Sequence, residues 1–407
     1  MSDAARRHYL LELSIPMIML IVVFTLLSSL SGKQKPARLP ATDTFAASAD
    51  LSKEINEKKE RLLHSEAILA ALMSIANADV HVVIQPKQVE TAPPNVSIRP
   101  GQLLQRAGDE ICVCGQFFHT GTPVVLWLDP GGYDAYRTET RFSDFKNSDW
   151  EAARKVNTQL SSPNRYGLRQ GLLTPDEIDR VRGGGWDLAL LQSKVDQFVL
   201  HFDVAGLSRN CFRTLHDVRC LSVHFMLDID GTIYQTLDLK ERAWHATTSN
   251  TRSIGIEIAN IGAYAPDKME EFERWYKKDA DGGVHIVIPG GGDGGVRTPN
   301  FVARPDRKDL IEGIVQGETK RQYDFTPQQY AALIKLTATL CKVFPKIKCD
   351  YPRDEIGQLI PHKLSDEQLK SYSGILGHYH VQKDKVDPGP ALQWDRLIHE
   401  AKKLIEQ

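Results

Sequence analysis

Hydrophobic positions along the chain change their spacing several times, and each change predicts a different element. Residues 13–32 (LSIPMIMLIVVFTLLSSLSG) hold no charged side chain. A polar linker with Pro36 and Pro40 follows over 33–50. Leu51, Ile55, Leu62, Ile68, Leu69, Leu72 and Met73 then recur at helical spacing with charges between them, which predicts a helix over 51–77. The stretch 81–100 is rich in Val and Pro and reads as extended. Residues 110–129 (EICVCGQFFHTGTPVVLWLD) read as two strands around Gly121, closed by a turn at Asp129-Pro130-Gly131-Gly132.

From residue 194 onward the signals are denser. A buried strand is expected over 195–204 and a helix over 208–219. A hairpin over 223–228 and 232–236 turns at Asp230-Gly231. A second core strand covers 252–259 (RSIGIEIA). Residues 262–322 read as an insertion, and the GGGDGG run at 290–295 suggests a long, mobile loop. Thr326 caps a helix whose first turn holds Pro327 and which stops at Pro345. A last strand at 375–379 and a closing helix at 394–405 complete the pattern. Strands interleaved with helices predict an α/β fold, a mixed central β-sheet flanked by helices. The expected organisation is a cytoplasmic N-terminus (1–12), a membrane segment (13–32), the linker, the helix, a β-containing preface (78–193) and a catalytic domain (194–407).

Composition changes this picture little. With 25% charged and 42% hydrophobic residues and a net charge of −2, the chain is ordinary for a globular protein and shows no nucleic-acid footprint. The N-terminal run matters more. About 20 apolar residues suffice to span a hydrocarbon core, and Arg6 and Arg7 upstream favour a cytoplasmic N-terminus. A cleaved signal peptide is one alternative and a buried helix with no targeting role another. Anchor and signal peptide alike export the chain, to the periplasm or another extracytoplasmic face. Cys211 and Cys220, like Cys341 and Cys349, are close in sequence, and an oxidising compartment permits local disulfides there.

Three segments carry candidate chemistry: Phe198-Val-Leu-His201, Ile254-Gly-Ile-Glu257, and Gly377-His378-Tyr-His380 running on to Lys385-Val-Asp387-Pro-Gly-Pro390. A catalytic zinc takes three protein ligands and keeps a fourth position open. His201, His378 and Asp387 can supply them, and the rigid Pro388-Gly389-Pro390 suits a ligand that must be held in place. His380 is two residues from His378 and, on a strand, shares its face, so it competes with Asp387. Glu257, a carboxylate on an apolar strand, is the candidate base, and Lys385 the candidate cation for a developing oxyanion. Among the 13 histidines, His224 reads as a core residue and His245 as a groove residue. Trp244 and Tyr234 are candidates for lining a substrate groove, with ordinary core packing as the alternative. Arg242 and Asn250 could meet a peptide carboxylate.

From about residue 194 to 394 the chain resembles the N-acetylmuramoyl-L-alanine amidase type 2 family. VLHFD, SVHFMLDIDGTIYQTLDLKERAWHA, SIGIEIAN and GHYHVQKDKVDPGPALQWDRL occur in the family's order. The resemblance implies zinc ligation by His201, His378 and Asp387, water activation by Glu257 and intermediate stabilisation by Lys385. It also implies a short disulfide between Cys211 and Cys220. The implied reaction is zinc-dependent hydrolysis of the amide between N-acetylmuramic acid and L-alanine in peptidoglycan or muropeptides. A non-catalytic peptidoglycan-binding receptor of the same fold is the alternative. The chain departs from the family in its long insertion and in everything before residue 194. No H-E-x-x-H is present, which disfavours a zinc peptidase.

Overall fold

The computed structural model describes residues 100–407, of which Gly101–Gln407 form one compact unit. The membrane segment expected at 13–32 and the helix expected at 51–77 lie outside the described residues. Among those described, no helix is long and apolar enough to cross a membrane.

The strands are β1 (Glu110–Val113), β2 (Gln116–His119), β3 (Val124–Leu126), β4 (Tyr166–Gly167), β5 (Gln197–Phe202), β6 (Phe225–Leu227), β7 (Ile233–Gln235), β8 (Arg242–Ala243), β9 (Ser253–Ile258), β10 (Tyr276–Lys278), β11 (Val284–Ile286), β12 (Ile311–Val315), β13 (Glu318–Gln322) and β14 (Gly374–Gly377). The helices are α1 (Trp150–Val156), α2 (Pro175–Arg182), α3 (Leu188–Lys194), α4 (Ser208–Phe212), α5 (Glu270–Trp275), α6 (Pro327–Val343), α7 (Asp366–Ser371), α8 (His378–Val381) and α9 (Trp394–Glu406). The central sheet has six strands in the order β14-β5-β9-β6-β7-β3. Only the β6–β7 pair within it is antiparallel. The mixed α/β sheet expected from the sequence is thus present.

Alternation along the strands sorts the two faces of this sheet. Phe198, Leu200, Ile254 and Ile256 point to one face, where they pack on Leu333, Leu336 and Leu340 of α6 and on Leu397 and Ile398 of α9. Burying each such side chain stabilises the fold by about 1.5–3 kcal/mol. His201 and Glu257 fall on the opposite face, near the carboxyl ends of their strands. Helix α6 starts where expected: Thr326 Oγ1 accepts from Gln329 N at 3.1 Å, and Gln329 Oε1 accepts from Thr326 N at 2.9 Å. Gln329 Nε2 also donates to Ala259 O at 2.8 Å, tying the helix start to the end of β9.

Several expectations need correction. Residues 110–129 make three strands, not two. The first turn falls at Cys114 and Gly115, both with positive φ, and β3 then pairs with β7 as the edge of the central sheet. The residues before 194 therefore build part of the catalytic fold's own sheet. The insertion is not a bare loop either. It holds α5, the hairpins β10–β11 and β12–β13, and an apolar cluster that includes Phe272, Trp275, Tyr276 and Val284. The expected helix over 208–219 is α4 followed by a π-helical stretch, Arg213–Val218. All six cysteines are free thiols, so the implied Cys211–Cys220 bridge is not formed.

Candidate active site

The last strand is shorter than its apolar pattern suggests. β14 ends at Gly377, and His378 opens the short helix α8. This decides between the competing ligands. Successive helical residues turn by about 100°, so residues two apart point nearly oppositely. His380 accordingly turns into the interior, where its Nδ1 accepts from Gly377 N at 2.8 Å and its Nε2 donates to Ile360 O at 2.7 Å. Both ring nitrogens are engaged and burial pushes its pKa down to about 3. His380 is a structural residue.

His378 turns the other way. Its Nδ1 lies 3.0 Å from His201 Nδ1 and 3.0 Å from Asp387 Oδ2, and His201 Nδ1 lies 2.8 Å from the same oxygen. Parallel pairing of β14 with β5 brings the two histidines together. Asp387 is returned to them by the loop after α8, which Tyr379 N closes by donating to Asp387 O at 3.1 Å. Three donor atoms at the corners of a near-equilateral triangle cannot all make straight hydrogen bonds to one another, but they suit a single cation. The outer nitrogens are occupied. His378 Nε2 meets Gln382 Oε1 at 2.7 Å, and His201 Nε2 meets His245 Nδ1 at 3.0 Å. Burial and the neighbouring His378 lower the His201 pKa to about 4, against the opposing pull of Asp387. The two histidines hold the Asp387 carboxyl well below the carboxylate range despite its burial.

The trio opens on a cavity of about 390 Å³ whose walls include Glu257, Lys385, Trp244, His245 and Arg219. Glu257 is the register partner of His201 on β9. Burial pushes its carboxyl well above the ordinary range, helped by Asp387 and Asp203 and opposed by Arg219 and Lys385. Lys385 is half-buried, its only ion pair among the described residues being a loose one to Asp384 at 3.7 Å. Tyr234 requires correction. It is 2% exposed and packs on Tyr133 in an apolar cluster, so it forms core and no cavity wall. Asn250 lines the cavity, but its Oδ1 accepts from the backbone of His245 and Ala246 at 3.0 and 2.6 Å.

A second layer supports the site. His245 can lie against the sheet because residue 255 is glycine: a Cβ there would sit 2.4 Å from His245 Nδ1. His224 is fully buried, and its Nδ1 accepts from Gly255 N at 3.1 Å. Arg169, also fully buried, donates to the carbonyls of Thr251, Ser253 and Leu239 at 2.9, 3.0 and 2.9 Å, bracing the segment that carries Trp244 and His245. Sequence reasoning missed Gln382 and Arg169. Nothing in the sequence marks Gln382 as the partner of the His378 ring, or Arg169 as a donor to distant carbonyls. Gly255 did leave a signal, since glycine inside a strand often marks a close approach.

The fold and the cavity define the class: an α/β protein whose polar side chains gather in a pocket at the carboxyl ends of parallel strands. The model of the N-acetylmuramoyl-L-alanine amidase family matches residues 191–390. That segment belongs to the family. Solved structures similar to the chain include a selenomethionine derivative of AmpD (16% identity, 59% of this chain and 92% of that one, TM-score 0.27). AmiD from E. coli, in complex with the substrate anhydro-N-acetylmuramic acid-L-Ala-D-γ-Glu-L-Lys, gives 20% identity, 51% and 57% coverage and a TM-score of 0.30. The endolysin amidase LysCS from Clostridium intestinale gives 13% identity, 52% and 86% coverage and a TM-score of 0.26. Likeness at this level carries no weight of its own, and membership rests on the matched residues. No curated protein matches the chain.

Proposed function

We propose that the chain is a zinc-dependent amidase that hydrolyses the bond between the lactyl group of N-acetylmuramic acid and L-alanine in peptidoglycan or muropeptides. The observation that carries this reading is the convergence of His201 Nδ1, His378 Nδ1 and Asp387 Oδ2 within 3.0 Å of one another, beside Glu257 and Lys385. Two imidazoles and a carboxylate suit zinc, and outer partners such as Gln382 and His245 are what such ligands need to hold one tautomer and orientation. Bound zinc supplies a Lewis acid and lowers the pKa of a water molecule.

The chain's own groups do the rest. Glu257, acting as its carboxylate, takes a proton from the attacking water and, then protonated, delivers it to the leaving nitrogen of L-alanine. Lys385 donates through Nζ to the oxygen on which negative charge develops. Trp244 walls the cavity beside them and offers an apolar face to the glycan or the stem peptide. The receptor reading gains nothing from the structure, because all three donor positions are filled.

Purified sacculi and soluble muropeptides, digested with and without a chelator, test the proposal. The expected products are stem peptides with a free L-alanine amine, formed only without chelator. Masses showing cleavage within the stem peptide, or undiminished activity under chelation, would overturn it.

Export to an extracytoplasmic face, with residues 13–32 as anchor, belongs to the same proposal. Its support is the charge-free run after Arg6 and Arg7. Protease treatment of intact cells, spheroplasts and lysed cells tests it. Protection of the catalytic domain until lysis would count against export.

A further inference from the structure

The insertion grips the catalytic loop through one side chain. Gln316 and Gly317 form the turn between β12 and β13, with φ of 55° and 79°. Two positive φ values define the tight hairpin turn that favours Asn, Asp or Gly at its first central position. Glutamine is a poor choice there for the turn itself. Its side chain, however, reaches the loop between His378 and Asp387. Gln316 Nε2 lies 3.0 Å from Tyr379 O, 2.9 Å from Gln382 O and 3.0 Å from Lys385 O. Its Oε1 accepts from Lys363 N at 3.1 Å, and its own N–H donates to Pro361 O at 2.9 Å. Three carbonyls of one loop thus converge on one amide group. A second glutamine holds the far end of the loop: fully buried Gln322, on β13, donates to Pro388 O at 3.2 Å and accepts from Ala391 N at 3.0 Å.

We propose that Gln316 is a positioning residue: the insertion hairpin clamps the 379–385 backbone so that Lys385 is presented to the cavity at a fixed height. The inference rests on the proposed role of Lys385. It makes the hairpin part of the catalytic apparatus, although that hairpin touches no reacting atom. Only a side chain of this length bridges the turn and the loop. Asparagine keeps the amide and suits the turn better, but falls one methylene short.

The test is Gln316→Asn in the full chain, with Gln316→Met as a second variant of similar length and no donor. For Gln316→Asn, Tm should hold or rise, kcat on muropeptide should fall about tenfold or more, and KM should stay within about twofold. In a Lys385→Ala background the same substitution should add almost nothing to the loss in kcat. Amide exchange over 379–387 in metal-free protein should speed up in both variants and stay unchanged elsewhere. Unchanged kcat and exchange would overturn the clamp. So would a loss of equal size in both backgrounds, because Gln316 would then act independently of Lys385. Should the unaltered enzyme fail to cleave muropeptides, the functional reading falls, while exchange over 379–387 still decides whether Gln316 clamps the loop.

Discussion

Glu257 lies directly across from His201 on the neighbouring parallel strand. Register partners share a face of the sheet, so one hydrogen-bonded ladder fixes how far the proposed base stands from a proposed metal ligand. No loop movement is needed to assemble the pair. Glu257→Ala should therefore lower stem-peptide release by about 10²–10⁴-fold, with zinc still bound near one per chain. Metal analysis beside a muropeptide assay checks this. Loss of zinc in the variant would make Glu257 a ligand or a structural group instead.

His245 is the outer partner of His201 at 3.0 Å. Removing such a partner frees the ligand ring to swing and to change tautomer. His245→Ala should weaken zinc binding by about 10–100-fold, as read by competition with a chromogenic chelator. An unchanged affinity would leave His245 with a role in the groove alone.

Gly255 gives a related prediction about stability. A methyl group at this position would overlap the His245 ring, at 2.4 Å from Nδ1 and 2.5 Å from Cε1. Gly255→Ala should destabilise the fold by about 1–3 kcal/mol. The same substitution in a His245→Ala background should cost much less, because the obstructing ring is gone. Urea denaturation of the four proteins in this cycle provides the readout. Equal costs in both backgrounds would show that the ring is not what fills the space.

Asp228 sets a pH dependence. It is fully buried, and its Oδ1 accepts from Ile229 N at 2.9 Å and Ser208 N at 3.3 Å. Its Oδ2 has no partner among the described residues. Burial pushes the carboxyl up to about 7. Between about pH 4 and 7 the native state keeps a proton that the unfolded chain has released. The native state then binds more protons, so this contribution to stability is complete below about pH 4 and is lost as pH rises through 7. Asp228→Asn should flatten the decline of Tm between about pH 4 and 7, relative to the unaltered chain. Part of the decline should persist, because Asp203 is likewise raised to about 7 by burial. A Tm profile of unchanged slope would show that Asp228 does not titrate in this window.

Much of this arrangement is legible in the residues themselves. Alternation in FVLHF and SIGIEI gives two buried strands and says which side chains share a face. Thr326-Pro327 marks a helix start that forms as read, and Gln329 completes it with reciprocal bonds that the reading did not include. Less legible is the switch after Gly377, where a buried run that continues to Val381 passes from strand to helix. That change separates His378 from His380, and spacing alone cannot reveal it. Tyr234 misleads for a similar reason. An aromatic residue beside polar neighbours looks the same in sequence whether it faces a groove or, as here, another tyrosine. The insertion, rich in glycine, reads as loop because its two hairpins are short and its apolar residues are far apart in sequence.

Arg169 lies more than twenty residues ahead of the segment matched by the family, yet its guanidinium is enclosed beneath the active-site wall. β3, still earlier, completes the sheet on which that wall stands. The portion of the chain that can be recognised is thus shorter than the portion that must fold. A fragment trimmed to the recognisable stretch would expose the β7 edge and leave the carbonyls of Thr251 and Ser253 without their donor. Modularity, in this enzyme, does not follow the borders of ancestry.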